Sequence, residues 1–392
     1  MNVSNPLSQQ RSLHSILEHL GQPGSRNLIP TPALLCDLEL LVANIERMAG
    51  VTSSGGVGLR PHVKSHKSAF IARLQLERGA VGLCFAKLGE AETVVGALVA
   101  EGIDATISAL LTSPVVGARS AERVVALGEL CDLLVVVDDP RGVDELSNAC
   151  EGAGRRLSVL CDVDVGLART GVVDAAHALT VTERIERSPW LDFVGVQGYG
   201  GHLQHIAGRE ERREATKDST RRLELVVAAL TNVGLEVPIR TGGGTGTAGI
   251  DIELGLLTEL QAGSYVFMDR EYRDALGLND EGSFAQSLTI ATTVISANQK
   301  DFVTVDAGLK AMANDAGSPL VVGHETTSQY HFFGDEHGLV TMPASTNFRR
   351  GDRLELVPPH CDPTVDRYDH LWMVQGDVLV DVVEVTARGC SQ

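Results

Sequence analysis

Positive charge is scarce in this chain. Lys and Arg number 33 against 51 Asp and Glu, a formal net charge of −18 at pH 7. So acidic a protein is a poor match for nucleic acid phosphates or an anionic membrane, and neither is expected as a partner. No two of the seven cysteines (Cys36, Cys84, Cys131, Cys150, Cys161, Cys361, Cys390) form a C-x-x-C pair, and their number is odd. This usage speaks for reduced thiols in a cytoplasmic protein rather than a disulfide framework. The first thirty residues hold no signal-peptide core, and no apolar run is long enough to span a membrane. Low-complexity tracts are missing, and no repeat larger than a β/α unit is visible.

What is present is a long alternation. With 392 residues, the chain exceeds one ordinary domain and suffices for two, and its 43% hydrophobic and 21% charged content is that of a globular protein. Residues 1–30 are polar apart from one amphipathic run (Leu13, Ile16, Leu17, Leu20). They are expected to form an N-terminal arm, partly ordered or packed on a neighbouring subunit. From Thr31 onward, short apolar segments at 33–36, 57–60, 81–85, 105–108, 133–137, 157–163, 193–197 and 237–240 alternate with helical sequence. Buried strands alternating with helices predict a parallel sheet. About eight such units in roughly 245 residues predict a TIM-type (β/α)8 barrel over 31–276, with a doubly wound sheet as the alternative. After Gly277 the pattern changes to strands at 288–297, 302–306, 330–333, 353–357 and 378–385 with almost no helix. This predicts a C-terminal all-β domain over 277–392.

Two stretches carry chemistry. In Arg60-Pro61-His62-Val63-Lys64-Ser65-His66-Lys67, five of eight residues can be positive. The stretch is either a solvated basic turn or the setting of a lysine whose charged form is disfavoured by its neighbours and whose amine is a Schiff-base nucleophile. In Thr241-Gly242-Gly243-Gly244-Thr245-Gly246-Thr247, no Gly-Lys-Ser/Thr follows, so it is not a Walker A loop. It is either a plain turn or a cradle whose N–H groups and hydroxyls hold a phosphate. An activated lysine and a phosphate cradle together suggest pyridoxal phosphate (PLP). A barrel places functional residues at strand ends, where Lys64 and the Gly242 loop fall.

These two stretches, with Gln197-Gly198-Tyr199, Glu259-Leu260-Gln261-Ala262-Gly263-Ser264-Tyr265 and His360-Cys361-Asp362-Pro363-Thr364, resemble the D-threonine aldolase / D-serine dehydratase-like family from about Thr31 to the C-terminus. These are PLP enzymes on an alanine racemase-like barrel. The resemblance implies Lys64 rather than Lys67 as the Schiff-base lysine, Arg169 facing the cofactor, and Tyr199 beside its ring. The residues alone leave a salt bridge from Arg169 to Asp162 or Asp164 equally open. Gly243, Gly244, Thr245, Ser264 and Tyr265 are implied on the phosphate side, and His205 as the base for the substrate's β-hydroxyl. His360 and Asp362 are implied as metal ligands. Residues i and i+2 of an extended run point the same way, so both can reach one ion. Imidazole plus carboxylate suits Mn²⁺ or Mg²⁺, whereas the cysteine at the second position in dehydratase relatives favours Zn²⁺.

The implied activity is a PLP- and metal-dependent aldolase that cleaves β-hydroxy-D-amino acids of the D-threonine or 3-hydroxy-D-aspartate type to glycine and an aldehyde. The alternatives are a dehydratase giving a 2-oxo acid and ammonia, and a non-catalytic PLP carrier, whose barrel lacks a β-domain. A homodimer is implied. The chain departs from the family pattern at Ala86, where a glutamine is expected, and at Ala109-Leu110-Leu111-Thr112-Ser113, where a polar Asn-Glu is expected. Both bear on substrate selectivity.

Overall fold

The computed structural model describes residues 14–103, 107–277, 284–342 and 346–392. The chain divides into two compact units. One comprises Ile45–Tyr265, Tyr272–Ser283 and Thr386–Gln392; the other comprises Met1–Asn44, Val266–Glu271 and Phe284–Val385.

The strand nearest the N-terminus, β1 (Ala33–Asp37), belongs to the second unit. The first unit is built on β2 (Gly58–Leu59), β3 (Leu83–Phe85), β4 (Ser108–Leu111), β5 (Asp132–Val137), β6 (Leu157–Asp162), β7 (Leu191–Gly198), β8 (Ile239–Gly242) and β9 (Glu259–Leu260). Their order is β2-β9-β8-β7-β6-β5-β4-β3, and every pairing is parallel. A parallel bridge between His62 and Cys84 joins the two ends, so the sheet closes into a barrel. Side-chain alternation shows why these segments are strands. Leu83, Phe85, Ala109, Leu111, Leu133, Val135 and Val159 pack outward among helical residues such as Val94, Leu98, Val124 and Leu146. The intervening Cys84, Leu110, Leu134, Val136 and Leu160 form a separate cluster inside the barrel. Helices start where the sequence caps them. Asp139 accepts from the Arg141 N–H ahead of Pro140–Ala153, with Pro140 in the first turn, and Asp174 does the same for His177 in Ala175–Glu186.

The eight strands are not the eight expected. Residues 33–37 do not enter the barrel, and Glu259–Leu260 takes the eighth place. A two-residue strand has no periodicity to read, and a strand buried on both faces looks alike in either sheet. The strand expected at 105–108 runs over Ser108–Leu111; residues 105 and 106 lie outside the described residues.

In the second unit, β1 pairs antiparallel with β10 (Leu288–Ser296) and parallel with β16 (His370–Gln375). With β11 (Phe302–Val305), β12 (Leu320–Val321), β13 (Tyr330–Phe332), β14 (Gly338–Thr341), β15 (Arg353–Val357) and β17 (Val378–Glu384), they make a nine-stranded sheet. Residues 14–30 pack on this sheet within the chain. Ile16 and Ile29 pack with Leu35, Val374 and Leu379; the Gly24 N–H donates to Asp377 and the Leu379 N–H to Ser25 Oγ. Residues 1–13, including Leu13 of the amphipathic run, lie outside the described residues. Among the described residues no helix is long and apolar enough to cross a membrane. All seven cysteines are free, and six are buried.

Candidate active site

The basic stretch is not a solvated turn. Arg60 leaves the end of β2 buried, with its guanidinium on both carboxylate oxygens of Glu259 at 2.8 Å. His62 then caps the single turn Val63–Ser65, accepting at Nδ1 from the Lys64 N–H (3.4 Å). That leaves Nε2 as the protonated nitrogen, donating to Thr112 Oγ1 at 3.3 Å, while the Thr112 hydroxyl donates to Phe85 O. His62 thus holds the turn from which Lys64 projects.

Lys64 enters a cavity whose wall includes Arg169, Tyr199, Thr112, Gln197 and Gln261. The Arg169 guanidinium lies over the Tyr199 ring, 5.4 Å from its centroid. It is not committed to the neighbouring carboxylates: Asp164 accepts from the Gly166 and Ala168 N–H groups, and Asp162 from Thr170 and Gln197. One face of the cavity is a continuous hydrogen-bonded layer. Gln261 Nε2 donates to Thr241 Oγ1 and to Gln197 Oε1, and Gln197 Nε2 donates to Asp162 and to Thr112 O. Burial pushes the Asp162 carboxyl up to about 6, against the bonds from Gln197 and Thr170. Gln197 and Gln261 stood in the quoted motifs without a role. Their place at the ends of β7 and β9 is the signal that identifies them. Ala86 and Ser113, two of the departures, also line this cavity.

The glycine loop follows β8 directly. Gly243 has φ +67, a left-handed conformation that favours glycine. Thr245 Oγ1 accepts from the Tyr265 N–H (3.1 Å), which leaves its hydroxyl hydrogen to donate elsewhere. Tyr265 is fully buried, its phenol accepting from Gln75 and its N–H bound to Thr245; like Gly243, Gly244, Thr245 and Ser264 it lies outside the lining of the Lys64 cavity. Ser264 opens the turn after β9. That turn runs beside the lysine turn: the His62 N–H donates to Ala262 O, and a side chain at Gly263 would meet His62 O at 2.9 Å. Structure thus gathers Lys64, Arg169 and Tyr199 at one cavity and sets the Ser264 turn against the lysine turn. His205 lies outside the lining, its ring edge-on to Tyr272 at 4.5 Å.

The lysine turn is also held from its far side. Lys67, at φ 48, gives its carbonyl to the Ala387 N–H, and Thr386 Oγ1 accepts from the Ala69 N–H. Nearby, Glu90 accepts from the Ala86 and Lys87 N–H groups, while its other oxygen is buried without a hydrogen-bond partner. Burial raises its carboxyl from 4.5 to about 7, against the pull of those N–H groups and of Lys67 and Lys64. The native state therefore binds this proton more tightly than the unfolded chain. The resulting stability is present below the unfolded value and is lost as pH rises through about 7. A glutamine in its place would keep the acceptor and never ionise. Glu90→Gln should leave stability unchanged near pH 4 and raise it by about 2–3 kcal/mol near pH 8, measured by denaturant unfolding.

His360 and Asp362 belong to the other unit. His360 is extended (φ −142, ψ 121), but Cys361–Val365 is a short helix with Asp362 in its first turn. The two are therefore not i and i+2 of one extended run. The Asp269 carboxylate, accepting from the Cys361 N–H at 2.8 Å, draws the chain into the helix. Cys361 is buried, its thiol 3.3 Å from Asp362 Oδ1. Among the described residues no group of three or more His, Cys, Asp or Glu side chains is set to hold an ion. The donors nonetheless suit a partly hydrated hard cation. His360 Nδ1 lies 2.7 Å from Asp315 Oδ2, a bond that leaves Nε2 as the ring nitrogen available to an ion.

Comparison with known proteins places the chain in a family. The alanine racemase N-terminal domain model matches residues 36–271, and a model named for a serine dehydratase domain matches 287–374. The chain is 37% identical over 376 residues to a D-threonine aldolase from Arthrobacter sp, covering 95% of this chain and 96% of that one. It is 34% identical over 367 residues to a 3-hydroxy-D-aspartate aldolase from Paracoccus denitrificans (strain Pd 1222), covering 92% of each. The crystal structure of D-threonine aldolase from Filomicrobium marinum superposes with a TM-score of 0.88 at 34% identity, covering 93% of this chain and 97% of that one. The chain therefore belongs to the alanine racemase N-terminal domain family, in its D-threonine aldolase / D-serine dehydratase-like branch, and is a lyase.

Proposed function

We propose that this protein is a PLP- and divalent-metal-dependent aldolase that cleaves β-hydroxy-D-amino acids of the D-threonine or 3-hydroxy-D-aspartate type to glycine and an aldehyde. The observation that carries the choice of reaction is Asp362. Its carboxylate acts on the His360 imidazole, and the family resemblance implies a cysteine at that place in dehydratases.

PLP, when bound, supplies an electron sink for the bond that breaks at the substrate's α-carbon. Lys64 is the amine that would hold it, with Arg169 and Tyr199 against its ring and Gly243, Gly244, the Thr245 hydroxyl and Ser264 toward its phosphate. A divalent ion, Mn²⁺ or Mg²⁺, would be held by His360 and Asp362, and its chemistry is Lewis acidity toward an oxygen. The buried layer of Gln197, Gln261 and Asp162 fixes the cavity wall and leaves few degrees of freedom to reorganise. His205, outside the lining of the Lys64 cavity and edge-on to Tyr272, is assigned to take the β-hydroxyl proton.

A panel of β-hydroxy-D-amino acids, assayed separately for glycine and for 2-oxo acid plus ammonia, tests this reading. Glycine and aldehyde in equal amounts are expected. Ammonia with a 2-oxo acid as the main products would replace aldol cleavage by dehydration, and no turnover of any member would remove the enzymatic reading.

A further inference from the structure

The reaction assigned above gives no task to Gln204, yet its side chain is the most connected in the glycine-loop region. It is 1% exposed and lies in Tyr199-Gly200-Gly201-His202-Leu203-Gln204-His205, after β7. Its Oε1 accepts from the Gly246 N–H at 2.9 Å. Its Nε2 donates to Gly200 O at 3.1 Å and to Thr247 Oγ1 at 3.2 Å. The Thr247 hydroxyl in turn donates to Asp251 Oδ2 at 2.6 Å. Donors and acceptors run in one consistent direction, and one amide is satisfied at both of its ends.

The sterics agree. A side chain at Gly244 would meet Gln204 Oε1 at 2.5 Å and Cδ at 2.7 Å; at Gly246 it would meet Gln204 O at 2.1 Å; at Gly243 it would meet Asp251 Oδ2 at 2.5 Å. Three glycines of the loop are therefore glycine partly because Gln204 and Asp251 occupy the space beside them. The Gly246 N–H is already spent on Gln204, so the orientation of the loop is fixed within the chain before any anion arrives. The Asp251 carboxyl, raised to about 7 by burial, carries only part of its charge near neutrality and opposes a phosphate correspondingly less.

We infer that Gln204 is a positioning residue: it locks the glycine loop, in its phosphate-receiving shape, to the turn that carries Tyr199 and His205. This rests on the PLP reading above, and it concerns the phosphate end of the cofactor rather than its ring. An acceptor lost from a buried N–H and two donors lost from the turn loosen the loop, and a pre-shaped anion site loses affinity when it must be ordered on binding.

The test compares PLP with pyridoxal, which lacks the phosphate, by titrating each into apoprotein and reading visible absorbance. Wild type should prefer PLP strongly. Gln204→Met, apolar and of similar length, should weaken PLP by about tenfold with little change for pyridoxal, so that the preference falls by the same factor. A general structural loss would weaken both ligands together. Thr247→Val, which removes one partner of the amide and leaves the other two, should lower the preference about threefold and serves if Gln204→Met fails to fold. A preference unchanged in the folded variant, or lost equally for both ligands, overturns the inference. Wild type that binds neither ligand overturns the PLP reading instead.

Discussion

Replacing Lys64 by alanine should abolish the visible absorbance of the PLP-loaded protein and lower turnover on the order of 10⁴-fold or more. Among the described residues that line the cavity, Lys64 carries the only primary amine; the guanidinium of Arg169 cannot serve as the nucleophile. Lys67, three residues on, lies outside the lining, and its backbone is bound over to Ala387. Wild-type protein with PLP should absorb at about 410–430 nm. Borohydride reduction followed by peptide mapping should place the label on Lys64. A label on Lys67, or none at all, contradicts the assignment. The variant should fold normally, because the Lys64 side chain is half-buried at a cavity and carries none of the barrel's interior packing.

Asp362→Ala should lower glycine formation by at least about 100-fold while leaving the visible absorbance in place. The expectation follows from the donor count. With His360 and Asp362 as the proposed protein ligands, losing one leaves a single imidazole, which holds Mn²⁺ or Mg²⁺ weakly. Mn²⁺ binding followed by electron paramagnetic resonance should weaken in parallel, a readout independent of turnover. EDTA should have the same effect on wild type, and Mn²⁺ or Mg²⁺ should restore it. Undiminished cleavage after EDTA would remove the metal from the reaction. Dominant release of ammonia with Mn²⁺ present would show that the carboxylate at 362 does not select aldol chemistry.

The parts of this molecule that were legible in its sequence are those governed by period and position. Alternating short apolar strands and helices gave away the parallel barrel; Lys64 stood out in the basic stretch, Arg169 and Tyr199 only through the family resemblance, and the structure places all three at one cavity. Glu259–Leu260 escaped because two residues carry no period, and Ala33–Asp37 was assigned to the wrong sheet because its burial on both faces is the same in either. The helix at Cys361–Val365 escaped for another reason. It is five residues long, contains Pro363, and is nucleated by the Asp269 carboxylate, almost a hundred residues away in sequence and therefore beyond any local propensity. Gln204 and Glu90 are likewise tertiary facts. A glutamine between Leu203 and His205 has no pattern of its own, and its importance lies in which backbone groups the fold brings to it.

The connection from the lysine turn to Thr386 and Ala387 has a consequence for how the protein is made. Translation delivers a chain from its N-terminus, and units contiguous in sequence can fold in order of emergence. Neither unit here is contiguous. The strand β1 must wait for β16, some 330 residues later, before its parallel edge is paired, and the turn bearing Lys64 must wait for residues 386 and 387 before its far side is held. Synthesis must therefore run past residue 385 before either unit can close. Acquisition of the native state is a late event rather than a succession of finished domains.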